Sequence, residues 1–240
     1  YSFAVGENCY ASDYGDTFAC GFKTSAIGYA SHAEGEGTLA YLDDAHAEGY
    51  ETSAFGWQAH AEGWKTYAND EAHAEGECTS AIGCASHAEG ESTVANNEAT
   101  HSEGYSTSAI GFASHTEGSQ TYSFGDCSHA EGSSTSSFGV GSHTEGLCTL
   151  AYDDYMHVCG QYNATDRSAL FVIGNGTSTN HSDAMIVSAN GVVSAYDYYN
   201  AAGDKLSDLT EIISLLRNKP TTGTHVIKCI DGVLTLVAEP

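Results

Sequence analysis

The sequence predicts an all-β fold, a parallel β-roll solenoid of about ten rungs of 14 residues each. The tetrad His-x-Glu-Gly occurs nine times with a step of 14 residues, except for one step of 13. A second half-repeat, Thr-x-Ala-x-Gly, lies between the tetrads and is clearest from Thr24 to Gly28 and from Thr107 to Gly111. A single period that persists along the chain is typical of stacked repeats rather than of a globular fold.

Each half-repeat predicts a short strand and a corner, because small and variable residues alternate for five positions before a glycine. Two strands and two corners make one rung, and rungs stack in parallel about 4.8 Å apart. Thr24 and Ala26 then share one face of the first strand, and His32 and Glu34 face away from Ala33 in the second. Burial of unpaired His and Glu is expensive, so the small residues are predicted to line the interior.

A core of Ala, Ser and Thr buries little apolar area, at about 25 cal/mol per Å², so the roll needs stabilisation from outside. An apolar stripe on the outward face of the Thr half-strand offers it. The stripe comprises Ile27, Leu39 with Tyr41, Phe55, Tyr67, Ile82, Val94, Ile110, Tyr122 with Phe124, Phe138, and Leu150 with Tyr152. A stripe along the whole length of a rod indicates a subunit interface. Its predicted contacts include Ile27, Phe55, Ile82, Ile110, Phe124 and Phe138.

The other outward face carries a ladder of paired His and Glu side chains. The pairs are His32 and Glu34, His46 and Glu48, His60 and Glu62, His73 and Glu75, His87 and Glu89, His101 and Glu103, His115 and Glu117, His129 and Glu131, and His143 and Glu145. The favoured interpretation is a solvated face of charge-assisted hydrogen bonds, in which nearby carboxylates raise the His pKa values. A divalent cation is the alternative, although an exposed strand offers two ligands per rung where structural Zn²⁺ takes four. No other cofactor is predicted.

The charge of the chain restricts its partners. The formal net charge is −25, and residues 1–160 contain 24 Asp and Glu residues against Lys23 and Lys65 alone. This excludes nucleic acid and disfavours an anionic membrane surface. No run of about 20 apolar residues predicts membrane insertion. The eight Cys residues lack CxxC pairing and are predicted to be free thiols formed in a reducing cytoplasm. The chain starts at Tyr1 without Met, which indicates a processed product or a fragment.

The repeat ends near His157 to Gly160, where the composition changes. The predicted organisation is a β-roll at 1–160, a β-rich connector at 161–204, a short helix at 205–219 and a C-terminal β-hairpin at 220–240. The last three segments form a small β-rich tip. An a/d seam is formed by Leu206, Leu209, Ile213 and Leu216. It predicts either a coiled coil between subunits or a helix packed on its own chain. An Asp231-Gly232 turn predicts the hairpin.

The repeat resembles the head of YadA-type trimeric autotransporter adhesins over about residues 17–160, since those strands read like Ser-x-Ala-x-Gly. The family forms a left-handed parallel β-roll, and three rolls pack through the outward apolar residues of one half-strand. The resemblance therefore implies a homotrimer. The His and Glu pair departs from the family, so its ligand specificity is not carried over. The segment at about 160–196 resembles the one that follows such repeats in bacteriophage tail-fibre and minor structural proteins.

These resemblances imply a structural and receptor-binding fibre of a phage tail or virion appendage that attaches to a bacterial surface receptor alongside other virion tail proteins. A bacterial cell-surface trimeric adhesin is the alternative. The ladder and the tip residues Tyr196, Tyr198 and Tyr199 are candidate contacts, although these tyrosines could equally form trimer core. No enzymatic activity is predicted, because nine copies on a regular face offer no pocket and no distinguished member. An autoproteolytic peptidase is disfavoured by the short segment after Gly160, and ice binding by the inward Thr residues.

Overall fold

The computed structural model describes residues 1–13, 15–164, 168–195, 225–230 and 233–238. The chain divides into two compact units, Tyr1–Ser194 and Ala195–Pro240. The first unit is a parallel β-solenoid of about 12 turns, and its described residues contain no helix. The prediction of a parallel solenoid is therefore confirmed, with slightly more turns than the tetrads alone indicate.

Two sheets run along the solenoid, here named sheet A and sheet B. Sheet A contains β1 (Phe3–Glu7), β3 (Phe18–Phe22), β5 (His32–Glu36), β7 (His46–Tyr50), β9 (His60–Trp64), β11 (His73–Glu77), β13 (His87–Glu91), β15 (His101–Tyr105), β17 (His115–Thr116), β19 (His129–Ala130), β21 (His143–Thr144), β23 (His157–Gln161), β24 (Ala169–Asn175), β25 (Asp183–Ser188) and β26 (Val193–Ala195). Sheet B contains β2 (Tyr10–Ala11), β4 (Ser25–Ala26), β6 (Leu39–Ala40), β8 (Ser53–Ala54), β10 (Tyr67–Ala68), β12 (Ser80–Ala81), β14 (Val94–Ala95), β16 (Ser108–Ala109), β18 (Tyr122–Ser123), β20 (Ser136–Ser137) and β22 (Leu150–Ala151).

Equivalent residues of successive rungs pair directly, so each repeat position forms a column. His73 aligns with His87 on one side and with His60 on the other. The 13-residue step between His60 and His73 therefore causes no slip in sheet A. The missing residue is absorbed by the corner at residues 69–72, which is one residue shorter than the corner at 55–59. A slip within the strand would have turned every side chain to the opposite face.

The interior consists of columns of small side chains, as predicted. Ala33 and Ala47 of sheet A and Thr24 and Ala26 of sheet B are fully buried. His32 lies between buried neighbours and points outward, because successive strand residues alternate between faces. Since the two sheets bury Ala, Thr and Ser rather than large aliphatic residues, backbone pairing between rungs carries much of the stability.

Sheet A continues past Gly160. β24 pairs in parallel with β23, with Val158 opposite Val172, and β25 then pairs antiparallel with β24. Val158, Val172 and Ile186 form a small apolar cluster at this end of the stack, together with Met156. The change of composition near Gly160 thus marks a change in the core residues within a continuous sheet.

The glycines of the tetrad do not form the corners, contrary to the expectation from the sequence. Gly104 lies inside β15 with φ of +107°, and a Cβ built on it would lie 2.2 Å from the carbonyl oxygen of Gly118. The left-handed corner conformation occurs two residues later, at Ser106 with φ of 53°. Glycine is therefore required where the backbones of successive rungs approach closely, and the corners accept ordinary residues.

The second unit is described only through β27 (His225–Ile230) and β28 (Val233–Ala238), which pair antiparallel with His225 opposite Ala238. Both strands lie within the segment predicted to form the C-terminal hairpin. The predicted helix at 205–219, with Leu209, Ile213 and Leu216, lies outside the described residues. The tip residues Tyr196, Tyr198 and Tyr199 do so as well.

Two neighbouring threonines of the interior should respond oppositely to replacement by valine. The buried Oγ1 of Thr93 has no hydrogen-bond partner, whereas Oγ1 of Thr107 donates to the Glu103 carbonyl at 3.1 Å and lies 2.8 Å from the Ser102 hydroxyl. Thr93→Val removes an unsatisfied polar group and should stabilise the solenoid by about 1 kcal/mol. Thr107→Val should destabilise it by a similar amount. Chemical denaturation of both variants measures the difference, and equal effects would contradict this assignment.

Candidate functional site

The outward face of sheet A carries an uninterrupted column of stacked imidazole rings. Because the strands are in register, His32 through His157 occupy one position in consecutive rungs. Adjacent His ring centroids lie 4.6 to 4.8 Å apart along the whole column. The ring of Phe18 contacts His32 in a tilted arrangement at one end, and the ring of Phe171 contacts His157 edge to face at the other. His157 was not among the predicted site residues, because its tetrad has decayed to His-Val-Cys-Gly.

Eight imidazoles of the column present Nε2 towards a carboxylate oxygen 3.4 to 3.9 Å away but form no hydrogen bond with it. Within a rung the Nε2–Oε2 distance is 3.4 Å for His60 and Glu62 and 3.9 Å for His101 and Glu103. These distances exceed the usual range of a charge-assisted hydrogen bond. In the described residues the Nε2 atoms of all ten column histidines are shielded from solvent and lack a hydrogen-bond partner. The predicted hydrogen-bonded ladder is therefore incorrect in its detail.

Where the pKa values of the imidazoles are shifted, the direction is opposite to the expectation from the sequence. The pKa values of His46 and His73 are lowered, first by burial and then by the neighbouring imidazoles, and the nearby carboxylates only partly offset this. The expectation that clustered carboxylates raise the His pKa values is wrong for these residues. The structure stacks imidazoles directly on one another, so each proton added to the column repels its neighbours.

The pKa values of three glutamates in the neighbouring column are also shifted. The pKa of Glu103 is raised to about 7, mainly because its carboxyl hydrogen-bonds to those of Glu89 and Glu117. The pKa of Glu131 is also raised to about 7, with the bond to Glu117 as the first cause. The pKa of Glu117, which accepts from both neighbours, is lowered. Near neutral pH Glu103 and Glu131 therefore share protons with Glu117, which lies between them.

We expect the lowered pKa values of His46 and His73 to be measurable by NMR. In the folded protein His46 and His73 should titrate below 6.5, their ordinary value, and in urea they should return to it. Since the folded pKa values are lowered, these residues favour the fold above pH 6.5, and this contribution is lost as the pH falls through the folded values. His46→Gln and His73→Gln assign the two resonances. Midpoints at or above 6.5 in the folded state would contradict this arrangement.

A shallow groove of about 460 Å³ runs beside the glutamate column. Glu75, Glu89, Glu103 and Glu117 line one side of it, and tetrad glycines such as Gly104 form its floor. The glycines that allow close approach of the rungs thus also leave space next to the carboxylates. The groove is open, acidic and repetitive, which suits cations and solvent rather than an organic substrate.

The outward face of sheet B carries the predicted apolar stripe. Phe55, Ile82, Phe124 and Phe138 each remain about 40% exposed, and Ile27 and Ile110 are half-buried. The aromatic rings stack along the axis, with centroids 4.8 Å apart for Phe124 and Phe138. The six solenoid residues predicted to form an interface thus lie on a single exposed face.

A second column on this face alternates strictly between large and small side chains. Its members in successive rungs are Tyr10, Ser25, Leu39, Ser53, Tyr67, Ser80, Val94, Ser108, Tyr122, Ser136 and Leu150. The structural repeat of the surface is therefore two rungs, although the repeat of the backbone is one. The sequence contains this signal, but it becomes apparent only once the register defines the column.

The fold and its two faces define a parallel β-solenoid repeat protein. No protein-family model and no curated protein matches the chain. Within the described residues there is no helix long and apolar enough to cross a membrane. Of the predicted free thiols, Cys9, Cys20, Cys78, Cys84, Cys127, Cys148 and Cys159 are free in the described part of the chain.

Proposed function

We propose that the solenoid is the structural shaft or head of a homotrimeric attachment fibre, in which three copies pack through the outward face of sheet B. The apolar stripe on that face carries the proposal. It extends over ten of the 11 strands of sheet B, from β4 to β22, and aromatic side chains such as Phe124 and Phe138 stay exposed in the single chain. Exposed patches of this length on a soluble surface favour an interaction between proteins.

The alternation of large and small residues favours copies of the same chain as the partner. Each large side chain of this column has a small one in the rung on either side, as Tyr67 has Ser53 and Ser80. The small residues leave space above and below each large layer, into which its side chains can extend near an axis. Copies related by a rotation axis lie at the same height, so their large layers and small layers coincide. Only another copy has this two-rung period.

The size of the face is adequate for a stable assembly. A strip about 50 Å long and about 15 Å wide presents roughly 750 Å² per chain, close to the area that each partner contributes to a standard protein interface. The Ala and Thr interior buries little apolar area by comparison, so association supplies stabilisation that the single roll lacks.

The acidic sheet A face would remain on the outside of such an assembly. With a net charge of −25 the chain favours neither nucleic acid nor an anionic lipid surface. Together with the resemblance to adhesin heads and phage fibre segments, this supports attachment to a bacterial surface receptor as part of a phage tail or virion appendage. The bacterial surface adhesin is the second candidate, supported by the same repeat.

The solution mass tests the assembly. Light scattering of the full chain at neutral pH should give three times the 25.1 kDa mass of the chain, with and without a chelator. A monomer would contradict the proposal. Antibodies raised against the solenoid would then distinguish the two settings, because labelling of virion tails supports the phage fibre and labelling confined to the bacterial envelope supports the adhesin.

A further inference from the structure

Three clusters of potential metal ligands follow one another along sheet A. They comprise Glu89, His101 and Glu103, then His115, Glu117 and His129, then Glu131, His143 and Glu145. Within each cluster one ligand atom from every residue lies within 4.8 Å of the others. The clusters share no residue, so one cation in each would leave the others complete.

The unpaired imidazole nitrogens point to a ligand independently of the acidic residues. Nε2 of His115 and Nε2 of His129 are shielded from solvent and have no hydrogen-bond partner. A shielded nitrogen without a partner costs stability, and native structures rarely leave one without a role. A cation bound at Nε2 would supply the missing interaction.

We propose that His115, Glu117 and His129 bind a divalent transition-metal ion, for which Zn²⁺ is the best match, with water completing its coordination. The two neighbouring clusters bind the same ion through one imidazole and two carboxylates. Zn²⁺ prefers imidazole and carboxylate ligands in a shell of four, and sites with three protein ligands leave one position to water. Ca²⁺ and Mg²⁺ prefer shells made of oxygen ligands, whereas every cluster here offers at least one imidazole nitrogen.

One distance between adjacent rungs already suits this ion. Bonds of about 2.0 to 2.1 Å in a tetrahedral Zn²⁺ site separate two ligand atoms by about 3.3 Å. Nε2 of His143 lies 3.5 Å from Oε1 of Glu131 in the third cluster. The rings of His115 and His129 are parallel within 4° with centroids 4.7 Å apart, so they must tilt towards a shared ion. Both rings are partly exposed, and the tilt would open their stacking on His101 and His143.

The electrostatics favour the same outcome. The carboxyl groups of Glu89, Glu103 and Glu117 line the groove in successive rungs, so their negative charges repel one another. A divalent cation neutralises this repulsion. Imidazole coordinates a cation in its neutral form, which predominates at pH 7 for an ordinary histidine. The groove along the glutamates gives water access to the ion.

This site goes beyond the proposed function and does not depend on it. The clusters lie on the outward face of sheet A, whereas the proposed assembly uses sheet B. Loss of the ion should leave the solution mass unchanged, and loss of the trimer should leave the clusters intact. The two proposals therefore fail separately.

Isothermal titration calorimetry of Zn²⁺ into the metal-free full chain tests the site, with the thiols kept reduced. The wild-type chain should bind Zn²⁺ with micromolar affinity or better, and the imidazole resonances should shift as the stack tilts. Glu117→Gln with His129→Gln should weaken one class of sites at least tenfold. His60→Gln with His73→Gln is the matched control, because it removes two column imidazoles that belong to none of the three clusters.

Three results would overturn the proposal. The first is the absence of Zn²⁺ binding by the wild-type chain. The second is equal weakening in both double variants, which would indicate a diffuse acidic surface. The third is unchanged binding in both, which would assign the ion to exposed thiols such as Cys78 and Cys127. Circular dichroism establishes that each variant is folded, and the conservative variant Glu117→Gln alone serves if the double variant is not.

Discussion

Replacement of Gly104 by alanine is expected to destabilise the solenoid by about 3 kcal/mol, which combines overpacking with an unfavourable φ. A Cβ at this position would lie 2.2 Å from the carbonyl oxygen of Gly118, so the rungs must separate locally. The φ of +107° is also one that residues with a side chain rarely adopt. Thermal unfolding followed by circular dichroism should show a lower Tm. Because each rung contacts only its neighbours, the loss should begin around β15.

Gly37→Ala is the matched control for this prediction. Gly37 has φ of +68°, and a Cβ there would meet Glu51 at ordinary van der Waals distances, with its Cγ nearest at 3.5 Å. Equivalent corners already carry Lys23 and Lys65 in the same left-handed conformation. Gly37→Ala should therefore change stability by less than about 1 kcal/mol. Similar Tm losses in the two variants would contradict the view that close approach of the rungs, rather than backbone conformation alone, demands glycine in the tetrad.

Phe124→Asp with Phe138→Asp is expected to convert the assembly to folded monomers. The two rings stack 4.8 Å apart in the stripe and are about 40% exposed in the single chain. Loss of their burial removes about 3 kcal/mol per chain, equivalent to at least a hundredfold in affinity, and the new carboxylates repel those of the other copies. Light scattering measures the mass.

Tyr105→Asp provides the control, since Tyr105 is 49% exposed at the end of β15 in sheet A. This variant should keep the wild-type mass. A trimer that survives both substitutions in the stripe, or that is lost equally in the control, would remove sheet B as the interface. Unchanged circular dichroism shows in each case that the roll itself is intact.

Most of the fold could be predicted because the same pattern of alternating residues recurs in every repeat. The alternation around Thr24 and Ala33 determined which residues are inside, and the structure confirms it. The role of glycine was misjudged, because a five-residue pattern ending in glycine reads as a turn, and only the spacing of rungs reveals the clash at Gly104. The continuation into β24 was hidden because Val and Ile replace Ala and Thr there without interrupting the pairing.

The candidate site was predictable in position but not in chemistry. Period two placed His115 and Glu117 outward on one face, which the structure confirms. Whether carboxylates or neighbouring imidazoles dominate the His pKa depends on distances that no sequence pattern contains. Burial lowers the pKa of His115 first, and the imidazole of His129 stacked 4.7 Å away lowers it further, which reverses the expected shift. Likewise, the alternation of large and small residues beside Phe124 emerges only from the register of sheet B.

Hydroxyl-radical footprinting of the full chain in solution measures directly whether sheet B is buried between copies. Phe55, Phe124 and Phe138 are 38 to 41% exposed in the single chain, nearly as much as Trp64 at 46% and Tyr105 at 49%. If sheet B is buried between copies, the three phenylalanines should be strongly protected from oxidation while Trp64 and Tyr105 react freely. In the Phe124→Asp, Phe138→Asp variant, Phe55 should lose its protection from oxidation. Oxidation of Phe124 and Phe138 in the wild-type protein at the rate expected of free surface residues would contradict the account.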